Sequence, residues 1–277
     1  MDQRKGSDLE VYFSGEKLYG DDFPTDQIEA WYKAESEGYA NLGNKEARKA
    51  SYQYHALNRI HGFRYLSKTQ GLGDVLGFGA AWGYEFEPLT GRIDRLTIVE
   101  PSENMRSKKI GPLHPTYVKP SVDGKMEFAD KSFDLITCFG TLHHIPNVTF
   151  VLEEMIRVLK PGGMLLLREP IISMGDWTQA RTGLTANERG IPLSHFNKVF
   201  RNQNVKIISR SLCFTMAYQL SKLFRKVLPR SLYSYPFYIR IDRIISFLLQ
   251  KNVRYHATRK IHRIAPSSVY FVLKKDQ

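Results

Sequence analysis

The run Gly77-Phe78-Gly79-Ala80-Ala81-Trp82-Gly83, with Glu100 standing 21 residues after Gly79, is where this 277-residue chain first combines residue types and spacing able to do chemistry. Glycine lets the backbone turn sharply and approach a ligand with no Cβ in the way. A carboxylate ending the next strand can accept hydrogen bonds from both hydroxyls of a ribose, which a neutral side chain does less well. A tight strand-to-helix turn beside a solvated acid would leave the same letters. The signal therefore lies in the order strand, glycine loop, helix, strand, acid.

A second group holds acids and bases. His143, His144, Glu169 and Asp176 follow the fourth and fifth apolar runs, and each is a type that can take a proton from a hydroxyl nucleophile. Asp176 is the preferred base, with His143 and Glu169 behind it. Two adjacent histidines without further ligands make no metal site, so no metal is expected. A third group spans 174–192: Asp176 and Asn187 can read hydroxyl pairs, Trp177 can stack on a sugar or ring face, and Arg181 and Arg189 can grip an anion. The bland alternative is a linker whose helix starts at Thr185 or Asn187 and whose arginines face water.

These residues need a scaffold, and the apolar pattern supplies one. Thr25 or Asp26 can cap a helix running to about Ser36, and 45–65 carries apolar residues at helical spacing. From Gly73 the rhythm changes to short runs, 74–79, 96–100, 116–119, 133–140 and 163–169. Their near-continuous apolarity suits parallel strands covered on both faces. Between the fourth and fifth runs a helix capped by Asn147 shows one stripe, Val148, Val151, Leu152, Met155, Val158 and Leu159, and Pro161-Gly162-Gly163 stops it. Two later strands, 205–211 and 267–275, flank a long basic segment.

Three further segments carry a family resemblance. Glu127-Phe128-Ala129-Asp130-Lys131-Ser132-Phe133-Asp134-Leu135-Ile136, Thr141-Leu142-His143-His144-Ile145-Pro146 and Arg157-Val158-Leu159-Lys160-Pro161-Gly162-Gly163 occur in order and at family spacing. They resemble successive motifs of class I S-adenosylmethionine (SAM)-dependent methyltransferases, in the branch of the ubiquinone and menaquinone enzymes, over about Gly73 to Pro170. The resemblance implies an α/β fold, doubly wound and Rossmann-like, with a seven-stranded sheet whose last strand is antiparallel. It implies an N-terminal helical cap over 1–70, a SAM-binding domain over 71–275 and a basic helical insertion at 212–264.

It also implies cofactor-binding positions. Gly77, Gly79, Ala80 and Gly83 form the loop, the last three along the methionine part of SAM. Glu100 holds the ribose, Pro101 lies beside the adenine, and Val122 and Asp123 flank it. Phe139 and Gly140 close the pocket, with His143 nearby. The family carries an acid where Gly77 stands, a glycine where Ala81 stands, and its adenine-side Asp at the place of Val122. The 174–192 stretch resembles the loop of methyltransferases from bacterial surface-polysaccharide pathways. The implied reaction is methyl transfer to oxygen on a sugar or lipid-linked saccharide. The alternatives are a quinone-like or other small acceptor, or a SAM-binding protein without catalysis that meets a membrane or RNA.

Charge points to a partner. The chain carries +12 overall, yet 191–263 holds 15 Lys or Arg and one acid, Asp242, or +14, leaving −2 elsewhere. Amphipathic stretches there, Met216, Leu220, Leu223, Phe224 and Val227 with Lys222, Arg225 and Lys226 beside them, then Phe237, Ile241, Ile244, Ile245 and Leu248 with Arg240, Arg243, Lys251 and Arg254 largely opposite, can lie on an anionic bilayer. An ordinary lid with its stripes packed inward is the competing reading. Nucleic acid is not the expected partner, since no Asn-Pro-Pro-Tyr-type motif or RNA-binding module is present. No apolar run reaches 18 residues, the N-terminal decapeptide has no apolar core, and Cys138 sits in an apolar run. Together these predict a cytoplasmic protein without disulfides, peripheral at the inner membrane face.

Overall fold

The computed structural model describes residues 9–42, 52–177, 179, 181, 183–185, 187–215, 220, 223, 228 and 230–277; side chains of 36–42, 260 and 263 lie outside that description. The seven expected apolar segments form seven strands: β1 Gly73–Phe78, β2 Ile93–Val99, β3 Thr116–Val118, β4 Phe133–Phe139, β5 Leu159–Pro170, β6 Val205–Cys213 and β7 Ser268–Lys275. They lie side by side in the order β3-β2-β1-β4-β5-β7-β6. β1 to β5 pair in parallel, and β7 runs antiparallel to both β5 and β6. Val75, Leu76, Ile136, Leu165 and Leu167 are fully buried. Burial on both faces is why these strands read as continuous apolar runs instead of alternating ones.

Besides a helical stretch over 9–13, the described α-helices are α1 Thr25–Leu42, α2 His55–His61, α3 Val148–Val158, α4 Leu193–Arg201 and α5 Pro236–Leu248. On one face of the sheet α3 and α4 bury Val151, Leu152, Met155 and Phe196 against Leu165, Leu167 and Phe271. The other face is covered by Phe63, Phe86 and Leu89 against Val75, Leu166 and Tyr270. Ala56 and Leu57 of α2 meet Cys213 of β6 and Ile239 of α5 in a smaller cluster. β2 and β4 flank β1 on opposite sides, so the chain leaving β1 and the chain leaving β4 diverge and open a crevice at the strands' carboxyl ends.

Several local expectations are corrected. The glycine loop opens into a 3-10 segment, Tyr84–Arg92, and not an α-helix. Pro88 inside it has no N–H to donate and its ring crowds the preceding turn. The stretch expected as one helix over 45–65 yields α2 and a 3-10 turn at Phe63–Tyr65, with 43–51 outside the described residues. Gly62 breaks it where the backbone runs against the Tyr270 ring, a place with no room for a Cβ. Asn147 does not cap α3; its side chain donates 2.7 Å to the Asp123 carbonyl instead. β5 begins at Leu159, directly after α3, so the Pro-Gly-Gly turn lies inside the assigned strand.

The basic segment departs most. α5 buries Ile239, Asp242 and Ser246, while Phe237, Ile244, Phe247 and Leu248 are 61–74% exposed. The apolar stripe therefore points outward, and the inward-packed lid reading is wrong for α5. Of the earlier amphipathic stretch, Met216, Lys222, Phe224, Arg225, Lys226 and Val227 lie outside the described residues.

Candidate cofactor crevice and active site

The carboxyl ends of β1, β2 and β4 enclose a cavity of about 260 Å³. Gly79 and Ala81 form one wall. Both hold positive φ, 65° and 46°, so the chain turns back on itself there. The Gly79 N–H donates to the Val99 carbonyl at 2.8 Å, and a Cβ at Gly79 would run into Thr141. Glycine at this point lets the loops after β1 and β4 touch.

Glu100, 5% exposed, stands on the same cavity. Its Oε2 accepts the Ala81 N–H at 3.1 Å and its Oε1 accepts the Ser102 N–H at 3.0 Å. Burial raises its pKa, and those two N–H groups pull part of the way back. A carboxylate fixed by one N–H per oxygen keeps acceptor capacity on both atoms for a diol. Pro101 and Val122 also line the cavity, and Gly140 and Thr141 close its β4 side.

The remaining expected cofactor positions sit elsewhere. Gly77 is buried, and a Cβ there would meet Ala80 and Phe86 at 2.8 Å, so the ring of Phe86 occupies the room an acid would need. Gly83 and Ala80 support the loop from behind, Gly83 against Ile98 and Ile110, Ala80 against the second core cluster. Asp123 turns away, accepting Ser121 Oγ and the Lys125 N–H at 2.9 Å. Phe139 faces the opposite side of the sheet, packed on Phe63 and Tyr270.

A missing carboxylate comes from an unexpected place. α1 crosses the crevice mouth, where Trp31 donates 2.8 Å to the His144 carbonyl, and Tyr32 and Glu35 line the cavity. Glu35 is 5% exposed; its Oε2 contacts His144 Nδ1 at 3.0 Å, and its Oε1 is buried without a hydrogen-bond partner. Asn147 Oδ1, also on the cavity, is likewise unpartnered. Unsatisfied buried acceptors of this kind fit a bound cationic or N–H-bearing group. Trp31 and Glu35 are four residues apart on a helix, and Tyr32 and Glu35 three, so a shared face was readable from spacing. That this face met the crevice was not.

Of the three expected catalytic residues His143 and Glu169 meet, and Asp176 stands apart. Glu169 is fully buried and accepts the Thr141 and Leu142 N–H groups at 2.8 and 2.9 Å, with His143 Nδ1 at 2.8 Å. Burial alone would raise its pKa, but His143 and those N–H groups hold it below the ordinary carboxylate value. Glu169 therefore positions the turn and does not line this cavity. His143 is 12% exposed, with Nε2 at 3.6 Å from Glu188 Oε1. His144, on the cavity, has its pKa lowered by burial and by neighbouring His143. Asp176 lies outside the cavity, half-buried after β5.

The expected acceptor loop is largely internal framework. Trp177 is 6% exposed and packed on Phe13, Tyr19 and Tyr255 at 4.4–6.4 Å between ring centres, so it offers no stacking face. Arg189 is fully buried; it donates to the carbonyls of Tyr19, His143, Ile145 and Pro146 at 2.9–3.2 Å. Burial lowers its pKa to about 10. Arg181 donates to the Met174 and Thr185 carbonyls, and Asn187 is half-buried.

A parallel sheet closed by one antiparallel strand, with a glycine loop, a buried carboxylate at the tip of β2 and a cavity at the reversal of strand order, has the architecture of class I methyltransferases. Residues 76–167 match a methyltransferase-domain family and 122–219 match a second one; the chain carries a class I SAM-dependent methyltransferase domain, with SAM as its cofactor. Among curated relatives, ubiquinone biosynthesis O-methyltransferase of Xanthomonas oryzae is 27% identical over 148 residues, 50% of this chain and 61% of that protein. Demethylmenaquinone methyltransferase of Staphylococcus epidermidis is 28% identical over 149 residues, 52% of this chain and 60% of that protein. The chain thus spans about three-fifths of the length of these relatives. In fold it resembles YcgJ of Bacillus subtilis, at 17% identity and TM-score 0.52 over 80% of this chain and 98% of that one. It also resembles phosphoethanolamine N-methyltransferase 1 of Haemonchus contortus, at 15% and 0.57 over 94% of this chain and 51% of that one.

Proposed function

We propose that the protein methylates an oxygen of a small, largely apolar acceptor of quinone-like class, drawn from a membrane surface. When bound, SAM supplies a methyl group activated by its sulfonium, which departs as a neutral thioether. The observation that carries the reading is Glu100, a buried carboxylate at the tip of β2 with one N–H on each oxygen and a cavity beside it. In this reading Glu100 takes the ribose hydroxyls and Pro101 and Val122 flank the adenine. Glu35 Oε1 receives the ammonium of the methionine part, replacing the acid that Phe86 excludes at Gly77. Residues 1–70 act as a cap and 71–275 as the catalytic domain. Holding the acceptor oxygen in line with the methyl group is the main task, since orientation alone can contribute roughly 7–11 kcal/mol. The acceptor's proton leaves toward the His143 cluster, where Glu169 is the positioning residue.

The quinone-like class is supported by the names of the relatives and by the inward commitment of Trp177 and Arg189. A sugar or lipid-linked saccharide hydroxyl is the second reading, supported by Asp176 and Asn187, which stay partly exposed on the 174–192 loop. Peripheral docking through 212–264 is supported by the outward stripe of α5 beside Arg240 and Arg243, both at least partly exposed. Among the described residues no helix is long and apolar enough to cross a membrane.

Calorimetry with S-adenosylhomocysteine tests the core of this proposal. Glu100→Ala should weaken binding by about 10- to 100-fold, the worth of a charge-assisted hydrogen-bond pair. No binding to the wild-type protein would refute the reading. Methyl-labelled SAM, offered with a demethylated quinol and separately with a lipid-linked saccharide, separates the two acceptor classes.

A further inference from the structure

The loops after β4 and β5 bring together three groups that the sequence separates. One ligand atom from each of His143, His144 and Glu188 lies within 4.8 Å of the others. Donors bonded to one first-row ion in a tetrahedral site sit roughly 3.5 Å apart, so the three side chains need to draw in slightly when an ion binds. Their surroundings are more telling than their separation. His143 gives Nδ1 to Glu169 Oε2 at 2.8 Å, and His144 gives Nδ1 to Glu35 Oε2 at 3.0 Å. A carboxylate on one ring nitrogen fixes the tautomer and turns the other nitrogen into a basic donor, the usual outer partner of a metal-bound histidine. Two neighbouring histidines each with its own buried carboxylate is a costly arrangement for a plain helix-start turn.

The third group is preset in the same way. Glu188, 8% exposed, takes the Thr185 N–H at 3.1 Å and the Thr185 hydroxyl at 3.3 Å on Oε2, while Oε1 faces His143 Nε2 at 3.6 Å. At that distance the two atoms are too far apart for a hydrogen bond and well spaced for a shared ligand. Charge argues likewise. Glu35, Glu169 and Glu188 are all buried; the fully buried Arg189 already serves five carbonyls, and Arg181, the cation that faces Glu35 and Glu188, donates to the Met174 and Thr185 carbonyls. The two imidazole rings lie 4.0 Å apart, close enough for both to reach one ion.

We propose that His143, His144 and Glu188 bind one divalent first-row transition-metal ion of the zinc type, with Glu169 and Glu35 as its outer carboxylates. Two imidazoles and one carboxylate leave at least one coordination position for an oxygen, and a metal-bound hydroxyl loses its proton near neutral pH. The ion binding stands by itself. Its use in methyl transfer rests on the function proposed above: the ion would hold the acceptor oxygen beside the cofactor crevice, which His144 also lines, and the acceptor's proton would pass to solvent, since the ion and Glu169 would then occupy both ring nitrogens of His143.

The test uses the full chain stripped with a chelator. Zn²⁺ is titrated by calorimetry and Co²⁺ by visible absorption into wild type, His143→Gln and Glu188→Gln, with S-adenosylhomocysteine affinity measured on each. Wild type should take one equivalent of either ion, and each variant should lose about tenfold or more in affinity. Zn²⁺ should raise the melting temperature of wild type and leave the variants where they were. S-adenosylhomocysteine binding should stay within about threefold, which also shows that the variants are folded. Failure to bind a stoichiometric ion, or equal affinity in wild type and both variants, overturns the proposal and leaves a histidine–glutamate ion-pair network. Loss of S-adenosylhomocysteine binding in wild type would instead sink the cofactor reading without touching the metal result.

Discussion

The loops beyond β4 and β5 and helix α5 handle their side chains in opposite ways. In the loops, polar and charged groups are drawn inside and matched: Arg189 ties the 142–146 turn to Tyr19, and Glu169 ties Thr141, Leu142 and His143. In α5 the polar groups also go inside, with Asp242 accepting the Phe214 and Thr215 N–H groups at 2.8 and 2.9 Å and Ser246 meeting Thr215 Oγ1 at 2.7 Å. There, however, Phe237, Ile244, Phe247 and Leu248 are left in water and Ile239 alone of the large aliphatic residues is fully buried. A residue's type therefore says little about its role here until its partners are known. An arginine in a polar loop is a clamp, and a phenylalanine on a helix stripe is surface.

The largest effect that would break this comparison belongs to Arg189. If it is a clamp, Arg189→Ala removes the guanidinium from five carbonyls, of which those of Leu142, His143 and Pro146 keep a backbone N–H, and should destabilise the fold by about 3–5 kcal/mol in urea denaturation. Arg189→Lys should recover only a small part, because one ammonium cannot span donors set out along a guanidinium edge. A variant of wild-type stability with reduced acceptor affinity would instead restore the anion-gripping role expected from sequence.

Next in size is Glu85, fully enclosed behind the glycine loop and hydrogen-bonded to Thr137. Burial pushes its pKa from 4.5 up to about 7, with Thr137 and Arg168 opposing. A carboxyl whose folded value exceeds its unfolded one binds its proton more tightly when folded. It costs nothing below about pH 4.5, a growing amount as pH rises toward 7, and a constant amount above. Glu85→Gln should therefore flatten that window and stabilise the protein at pH 8 by up to roughly 3 kcal/mol, less whatever Arg168 loses. Unchanged pH dependence of the melting temperature would show that Glu85 is ionised and paid for by other contacts.

These cases mark where sequence reasoning reached and where it stopped. The central strands β1, β4 and β5 were legible because parallel strands buried on both faces must be apolar throughout, and Gly79 and Glu100 were legible because their spacing is local to one strand-loop-strand unit. Glu35 was not, since its meeting with His144 joins residues 109 apart and depends on how α1 crosses the sheet. Trp177 and Arg189 misled for the complementary reason. Aromatic and guanidinium groups serve ligand recognition and internal framework equally well, and only burial separates the two. Gly77 shows the same limit at short range: its place in the motif was clear, but Phe86 filling the space beside it was not.

The smallest stability effect sharpens the comparison most. Phe237 is 74% exposed and Ile239, two residues on, is fully buried. Ile239→Ala removes packing from the cluster with Ala56, Leu57 and Cys213 and should cost about 2–5 kcal/mol. Phe237→Ser removes almost no contact inside the protein and should stay within about 0.5 kcal/mol of wild type. If the outward stripe meets a bilayer, the ranking reverses in a vesicle assay with phosphatidylglycerol. Phe237→Ser combined with Leu248→Ser should then lose most binding, since each buried apolar side chain contributes roughly 1.5–3 kcal/mol. Ile239→Ala, as long as it remains folded, should bind as wild type does. Binding that falls with salt but ignores both serine substitutions would mean that Arg240, Arg243 and Arg254 act alone and the stripe faces another partner. Equal destabilisation by Phe237→Ser and Ile239→Ala would mean that α5 is packed on both sides and that its apolar face is not surface at all.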